Sequence, residues 1–334
     1  GNGNYDVYVV LFKDGKVSAP VKINTAAGGQ AIEYEWGGRF VAVSADDSAI
    51  WSEDGGETWT EAALPGSYYW DNVVYGDGVF IATGGYQSNV RQGAKSIDGG
   101  QTWEEMILPT TGRVKVGYGD GVFVALGRTT NQAAARSEDG GETWEEVTLP
   151  VSGDWKRVAY GNGVFITADF NDGSNTAIRS EDGGKTWTEV TLPVSTKWAE
   201  VSYGNDVFVA VGDNAAAKSE DGGKTWTEVT PLSSPDYYWS SVAYGNGVFV
   251  AIDYGKDTNG SDKAVWSVDG ETWTDAVLPS STQWVKVAYG GGMFVAIDLN
   301  NSGAARSEDG GRTWMAITPL PDGIWPFITF GECP

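Results

Sequence analysis

One eight-residue pattern, Ser-x-Asp-Gly-Gly-x-Thr-Trp, recurs along the chain and narrows what it can fold into. It reads SEDGGETW at 52–59, SIDGGQTW at 96–103, SEDGGETW at 137–144, SEDGGKTW at 180–187 and again at 219–226, and SEDGGRTW at 307–314. A seventh copy, SVDGETW at 267–273, is one residue short. The aspartates Asp54, Asp98, Asp139, Asp182, Asp221, Asp269 and Asp309 fall about 42 residues apart on average. A period of that size holds roughly four short strands, the content of one propeller blade.

The rest of each repeat agrees. In the fourth, WKRVAYG (155–161) leads through Gly-Asn-Gly to VFITAD (164–169), a variable loop, TAIRS (176–180), the Asp motif and TWTEVTLP (186–193). These segments are strands A, B, C and D. The A–B links at 76–78, 119–121, 161–163 and 245–247 are Gly-Asp-Gly or Gly-Asn-Gly, residues that tolerate positive φ. The C–D link is the Asp motif, whose carboxylate accepts hydrogen bonds from turn amides and whose Trp packs on a neighbouring sheet. Strand-length runs alternate with turn signals throughout, with no helical period.

The repeated S-x-D-G-G-x-T-W resembles the Asp-box of the sialidase-like (BNR-repeat) β-propellers, over about 31–320. The resemblance implies an all-β propeller of four-stranded antiparallel blades. It leaves function open, since the Asp-box occurs in sialidases, xyloglucanases, photosystem assembly factors, sorting receptors and phage tail proteins. In that family it is a structural turn away from the active site, so the seven aspartates are expected to be structural.

How the ring closes follows from the ends. Seven complete A–B–C–D units are expected between 31 and 320. The N-terminal segment 1–30 contains YDVYVVLFKDGKVSAPVKI (5–23), which reads as a hairpin around Lys13-Asp14-Gly15-Lys16. The segment 321–334 contains WPFITFG (325–331), which repeats strand A. A blade split between the termini would make eight; seven blades with two appended pieces is the alternative. Either way 1–334 reads as a single propeller domain, without a linker between repeats.

Composition removes several functions. With 45 acids, 22 bases and a net charge of −23, the chain is a poor partner for nucleic acid or an anionic membrane. Without His, Ser-His-Asp, Cys-His and His-metal chemistry are excluded, and the lone Cys333 forms neither an internal disulfide nor a zinc site. No apolar run approaches the ~18 residues that span a bilayer, and Gly1–Asn4 do not open a signal peptide.

Strand alternation puts the A–B and Asp turns on one face and the B–C and D–A loops on the other. The second face varies in length and chemistry, where specificity resides. Its B–C loops include GGYQSNVRQG (84–93), DFNDGSN (169–175), GDNAA (212–216) and DYGKDTNGSDK (253–263). Its D–A loops end in aromatics, SYYW at 67–70 and DYYW at 236–239, with single Trp at 155, 198, 284 and 325. Rings beside amides and carboxylates suit carbohydrate. Candidate ligand contacts are Tyr68, Tyr69, Tyr86, Arg91, Arg113, Arg128, Trp155, Arg157, Asp169, Trp198, Tyr237, Tyr238 and Tyr254. The tandem tyrosines break the repeat and are the better candidates. A Trp at the head of strand A in six units points more to packing between blades. Two residues further on, Asn72, Lys115, Arg157, Glu200, Ser241 and Lys286 are expected to line a solvated central channel.

No catalytic constellation stands out. Sialidases use three arginines, a Tyr–Glu pair and an acid Asp; the family's Arg-Ile-Pro element is absent. Arg91, Arg113, Arg128 and Arg157, with Lys115 and Lys156, could form a basic patch for an anionic sugar. Asp169, Asp172, Asp213, Asp253 and Asp257 form a pool for a glycosidase pair, a signal without specificity. DFNDG and DYGKDTNGSD are oxygen-rich enough for calcium but lack an EF-hand Glu, so no cofactor is expected. The chain therefore reads as a non-catalytic binding or adhesion propeller, extracellular, cell-surface or virion-borne, recognising a surface glycan or protein. A glycoside hydrolase and a protein-binding scaffold are the alternatives, the latter because a split blade could admit a partner chain or a second copy by strand addition.

Overall fold

A computed structural model describes the strands between Val7 and Ile23 and the chain from Gly38 to Glu332, except residues 46, 67, 86–91, 110–113, 128–131, 230–231, 233–235, 257–258, 300–302, 318 and 322. Two compact units emerge, Gly1–Glu35 and Trp36–Pro334. In the first, Val7–Val9 pairs antiparallel with Val21–Ile23, and Phe12–Lys13 with Lys16–Val17, the expected hairpin. These pairs form two-stranded sheets of their own and contribute no strand to a blade.

The second unit is a propeller of seven four-stranded antiparallel blades, not eight. Blade 2 shows the plan: A is Trp70–Gly76, B Val79–Gly84, C Gln92–Ser96 and D Glu104–Ile107. The A strands of blades 3 to 7 are Val114–Gly119, Ala159–Gly161, Trp198–Gly204, Trp239–Gly245 and Trp284–Gly290. Blade 1 takes B, C and D from Gly38–Val43, Ser48–Ser52 and Thr60–Ala63, and its strand A from the far end of the chain, Phe327–Glu332. The segment 31–37, which the repeat spacing reads as the first strand A, lies outside the described residues. The C-terminal WPFITFG is indeed a strand A, but it completes the first Asp-motif unit and leaves no eighth blade. No seam in blade 1 awaits a strand from another chain.

A packing rule explains why that register wins. Every A strand carries an aromatic-Gly pair at or next to its end, and the aromatic faces a Phe of strand B: Tyr75↔Phe80, Tyr160↔Phe165, Tyr203↔Phe208 and, in blade 1, Phe330↔Phe40. The glycine then admits the ring of the next blade. A Cβ on Gly161 would lie 1.9 Å from Cγ of Tyr203, so only Gly fits this close approach. The same contact closes the circle, because Gly331 lies beneath Tyr75 of blade 2 and Gly290 beneath Phe330. Phe-Gly at 330–331 thus substitutes for Tyr-Gly, and seven such contacts leave no gap.

The Asp motifs share their Ser–Asp and Thr–Asp hydrogen bonds, and six of the seven add a bond from the Trp indole. In blade 4, Ser180 Oγ donates to Asp182 Oδ1 (2.8 Å) and accepts from Gly184 N (2.9 Å). Asp182 accepts from the Thr186 amide (2.9 Å) and hydroxyl (2.6 Å), and Trp187 Nε1 donates to Gly184 O (3.1 Å). Gly183 and Gly184 sit at φ 72° and 80°, conformations that favour glycine. The short copy in blade 6 keeps its Asp and Trp contacts through Thr272 N to Asp269 (2.7 Å) and Trp273 Nε1 to Gly270 O (3.1 Å). All seven aspartates accept a hydrogen bond from the serine of their own turn.

Candidate functional site

The hub face is a regular backbone frame. Trp70, Trp155, Trp198, Trp239, Trp284 and Trp325 are all buried among the blades. The residue before each Trp accepts, through its carbonyl, an amide donated from one or two residues past the end of strand B. The pairs are Gly85 to Tyr69 (3.0 Å), Phe170 to Asp154 (3.0 Å), Asp213 to Lys197 (3.0 Å), Tyr254 to Tyr238 (2.9 Å), Leu299 to Gln283 (3.0 Å) and Ala45 to Ile324 (3.1 Å). Just after the Trp the A–B register slips, at Trp70/Asn72, Trp198/Glu200, Trp239/Ser241 and Trp284/Lys286. Such bulges re-aim the intervening side chain. Asp71, Ala199, Ser240 and Val285 occupy those positions and all face the hub.

Together these positions wall a cavity of about 500 Å³ at the centre of the variable face. That size is within the range of small-ligand sites. Tyr69 and Tyr238, the second of each tandem pair, line it, with Tyr254 and Arg157. Tyr68 and Tyr237, the first of each pair, lie behind it. Tyr68 packs edge-on to Trp70 (5.7 Å between ring centres), and Tyr237 packs on Trp239 (5.1 Å) while accepting a hydrogen bond from Lys263 Nζ (2.8 Å). Period-two alternation before a buried Trp separates the two tyrosines in this way. Trp155 and Trp198 are fully buried and belong to the core. Asp169 is also buried: its Oδ1 accepts from Asp154 N (2.8 Å), Asn171 N (3.1 Å) and Asn171 Nδ2 (3.0 Å) and so pins its own loop. Tyr86, Arg91, Arg113 and Arg128 lie outside the described residues.

The cavity also holds Lys115 and Lys156 of the expected basic patch, and groups the loop chemistry did not single out: Lys197, Phe170 and the apolar Val285, Leu299 and Pro326. Position relative to the Trp, or to the end of strand B, is the signal that finds them. Lys156 Nζ stands 3.2 Å from the centre of the Phe170 ring. Lys115 is buried and forms an ion pair with Asp71 (2.7 Å). Burial pushes the Asp213 carboxyl above its ordinary range, against the pull of Lys197 and Lys156. Burial likewise raises the Tyr254 hydroxyl. Among the described residues no group of three or more Asp, Glu or Cys side chains gathers as a metal site.

Below the cavity the strand A side chains form a largely buried polar network, and Asn72, Arg157, Glu200 and Lys286 line a second cavity of about 270 Å³. Asn72, Lys115, Glu200, Ser241 and Lys286 are all buried. Glu200 is the centre: it accepts from Lys286 Nζ, Ser241 Oγ and Val242 N (3.3 Å), with Arg157 Nε at 3.9 Å. The Arg157 and Lys286 cations both lie over the ring of Phe327, at 4.4 and 5.0 Å. Burial lowers the Lys286 pKa, Glu200 opposes that shift and Arg157 adds to it. Side chains from blades 1, 4, 5, 6 and 7 thus meet at the axis, and their mutual pairing makes burial tolerable.

Neither a protein-family model nor a curated protein matches the sequence. Solved structures do. The chain is similar to "YCF48 bound to D1 peptide" at 18% identity, covering 77% of this chain and 84% of that one, with a TM-score of 0.60. It is similar to YCF48 from Cyanidioschyzon merolae at 17% identity, covering 77% and 88%, with a TM-score of 0.57. It is also similar to the GH74 xyloglucanase from Xanthomonas campestris at 16% identity, covering 89% of this chain but only 52% of that one, with a TM-score of 0.63. At these identities the likeness concerns the propeller fold alone.

Proposed function

We propose that this chain is a non-catalytic binding propeller of the Asp-box (BNR-repeat) type, displayed at a cell or virion surface. It recognises a surface glycan or protein through the hub cavity of its variable face. One observation carries the reading: the same backbone hydrogen bond recurs at the hub in six blades while the side chains of the paired residues differ from blade to blade. A rigid frame with interchangeable contacts suits recognition, because ordering costs at binding stay small. Tyrosines at the rim add large contact area with few rotatable bonds. A peptide-bound propeller among the similar folds is compatible with a protein ligand. The test is a glycan array and a surface-protein capture run in parallel with Tyr238→Ala. A ligand retained by the wild type and lost by Tyr238→Ala supports the cavity; one bound equally by both places recognition elsewhere.

A second reading, a glycoside hydrolase, rests on Asp71 and Asp213 lining one cavity with different environments. Asp71 is held beside Lys115, whereas burial raises the Asp213 carboxyl above its ordinary range. Two carboxyl groups in unlike environments are the arrangement that such chemistry uses. Turnover of 4-methylumbelliferyl glycosides that disappears in Asp213→Asn would establish it. Absence of turnover across the common sugars, alongside tight binding, removes it.

A further inference from the structure

The cavity rim is chemically sorted around the ring. Cations come from adjacent blades: Lys115 from blade 3, Lys156 and Arg157 from blade 4, Lys197 from blade 5. Straight across the hub, blades 7 and 1 present Val285, Leu299 and Pro326, none of which carries a side-chain hydrogen-bonding group. Tyrosines hold the two flanks, Tyr69 on blade 2 and Tyr238 with Tyr254 on blade 6. The lining carries four cations against two carboxylates, in a chain of net charge −23. One of those carboxylates, Asp71, is engaged by Lys115 at 2.7 Å.

Resting on the reading of this cavity as the binding site, we propose that its ligand is an amphiphilic carboxylate: a carboxylate group joined to an alkyl or aryl arm. The carboxylate faces the arc of Lys156, Arg157 and Lys197, and the arm lies on Val285, Leu299 and Pro326 between the tyrosines. A neutral sugar has no use for a cationic arc, and an acidic sugar would leave hydroxyls against the apolar arc without partners, which costs affinity. A polyanion would meet the acidic exterior before it reached the hub. Within a Debye length of ~8 Å the local cations outweigh that exterior field, and a cleft of lowered dielectric strengthens them. The same chemistry is offered by a peptide with a C-terminal carboxylate after an apolar residue, and by a small organic acid.

Calorimetric titration of the full chain distinguishes these. The probes are N-acetyl-alanyl-leucine and its amide, phenylacetate and phenylacetamide, and glucuronate. Each acid should bind about tenfold or more tighter than its amide, the margin of one charge-assisted hydrogen bond. Lys197→Met should lose about that factor and Leu299→Asp should abolish binding, with melting curves confirming that both variants fold. Tighter binding of the peptide acid assigns a peptide source; tighter binding of phenylacetate assigns a small acid. Equal affinity of acid and amide, stronger binding of glucuronate, or no carboxylate binding at all overturns the assignment. If a neutral oligosaccharide instead binds and is lost in Tyr238→Ala, the carboxylate fails while the binding cavity stands. A ligand indifferent to both Tyr238→Ala and Lys197→Met overturns both.

Discussion

The two faces of the ring are made by the same blades under opposite rules. On the turn face one chemistry is repeated: in each motif the Thr amide donates to the Asp carboxylate, so that Asp54, Asp139 and Asp309 accept the same bond. On the hub face one backbone is repeated while the side chains change, so that Tyr238, Lys197 and Gln283 occupy the same place with different chemistry. On the proposed reading, stability and recognition fall at opposite ends of each blade. Substitutions on the turn face should cost stability and spare binding, and those on the hub rim should do the reverse.

The largest effect should come from opening the ring. Removing residues 325–334 deletes strand A of blade 1 and the Phe330 and Gly331 contacts to its neighbours. The exposed edge and lost core should exceed the ~5–15 kcal/mol that holds a typical domain. Circular dichroism should show no cooperative melt for the truncated chain. A folded monomer with an unchanged melting temperature would sink the seven-blade closure. Within an intact ring, Trp187→Ala should cost ~3–5 kcal/mol, because this Trp packs between Phe165 and its own turn and leaves a cavity when removed. Denaturant titration measures it, and wild-type stability would show that the turn Trp is not core.

The turn face was legible in the sequence for a physical reason: it is made by local hydrogen bonds within eight residues, and local geometry leaves a local pattern. The blade plan followed from its spacing. Ring closure was harder, because the pairing of Phe327–Glu332 with Gly38–Val43 joins segments nearly a whole chain apart. WPFITFG announced a strand A, but nothing local names its partner. The hub cavity was half legible. Tyr69 and Tyr238 stood out as departures from the repeat and Tyr254 as an aromatic of a variable loop, whereas Lys197, Val285 and Leu299 look ordinary until the ring brings seven blades to one axis. Glu200 and Lys286 read as channel-wall residues for the same reason: their pairing across the hub has no signature along the chain.

The turn face also has an acid signature. Thr143 donates its hydroxyl and amide to Asp139, holding that carboxyl down at about 2; Asp221 and Asp269 are likewise lowered to about 2, their hydrogen bonds prevailing over burial. Because these folded values lie below the ordinary 3.8, the unfolded chain takes up protons first as the pH falls. Their stabilisation is present above about pH 4 and is lost between about pH 4 and pH 2. Asp182→Ala removes one pin, with an expected cost of about 1–2 kcal/mol, and should make the acid limb of the melting-temperature profile shallower. A profile identical to wild type would mean that the carboxylate contributes nothing beyond its space.

The smallest effect on stability should come from the hub rim, where it is the most informative. Lys197 is half-buried, its backbone carbonyl is engaged by Asp213 N, and its side chain extends into the cavity. Lys197→Ala leaves that backbone bond in place and removes no core contact, so stability should change by no more than about 0.5 kcal/mol. It also takes away the cation that opposes the upward shift of Asp213, so that carboxyl should rise further and protonate at a higher pH. A carbon-labelled NMR titration of the aspartates reads that shift directly. A large loss of stability would show that the rim helps hold the ring together, and the separation of duties between the two faces would fail at this blade.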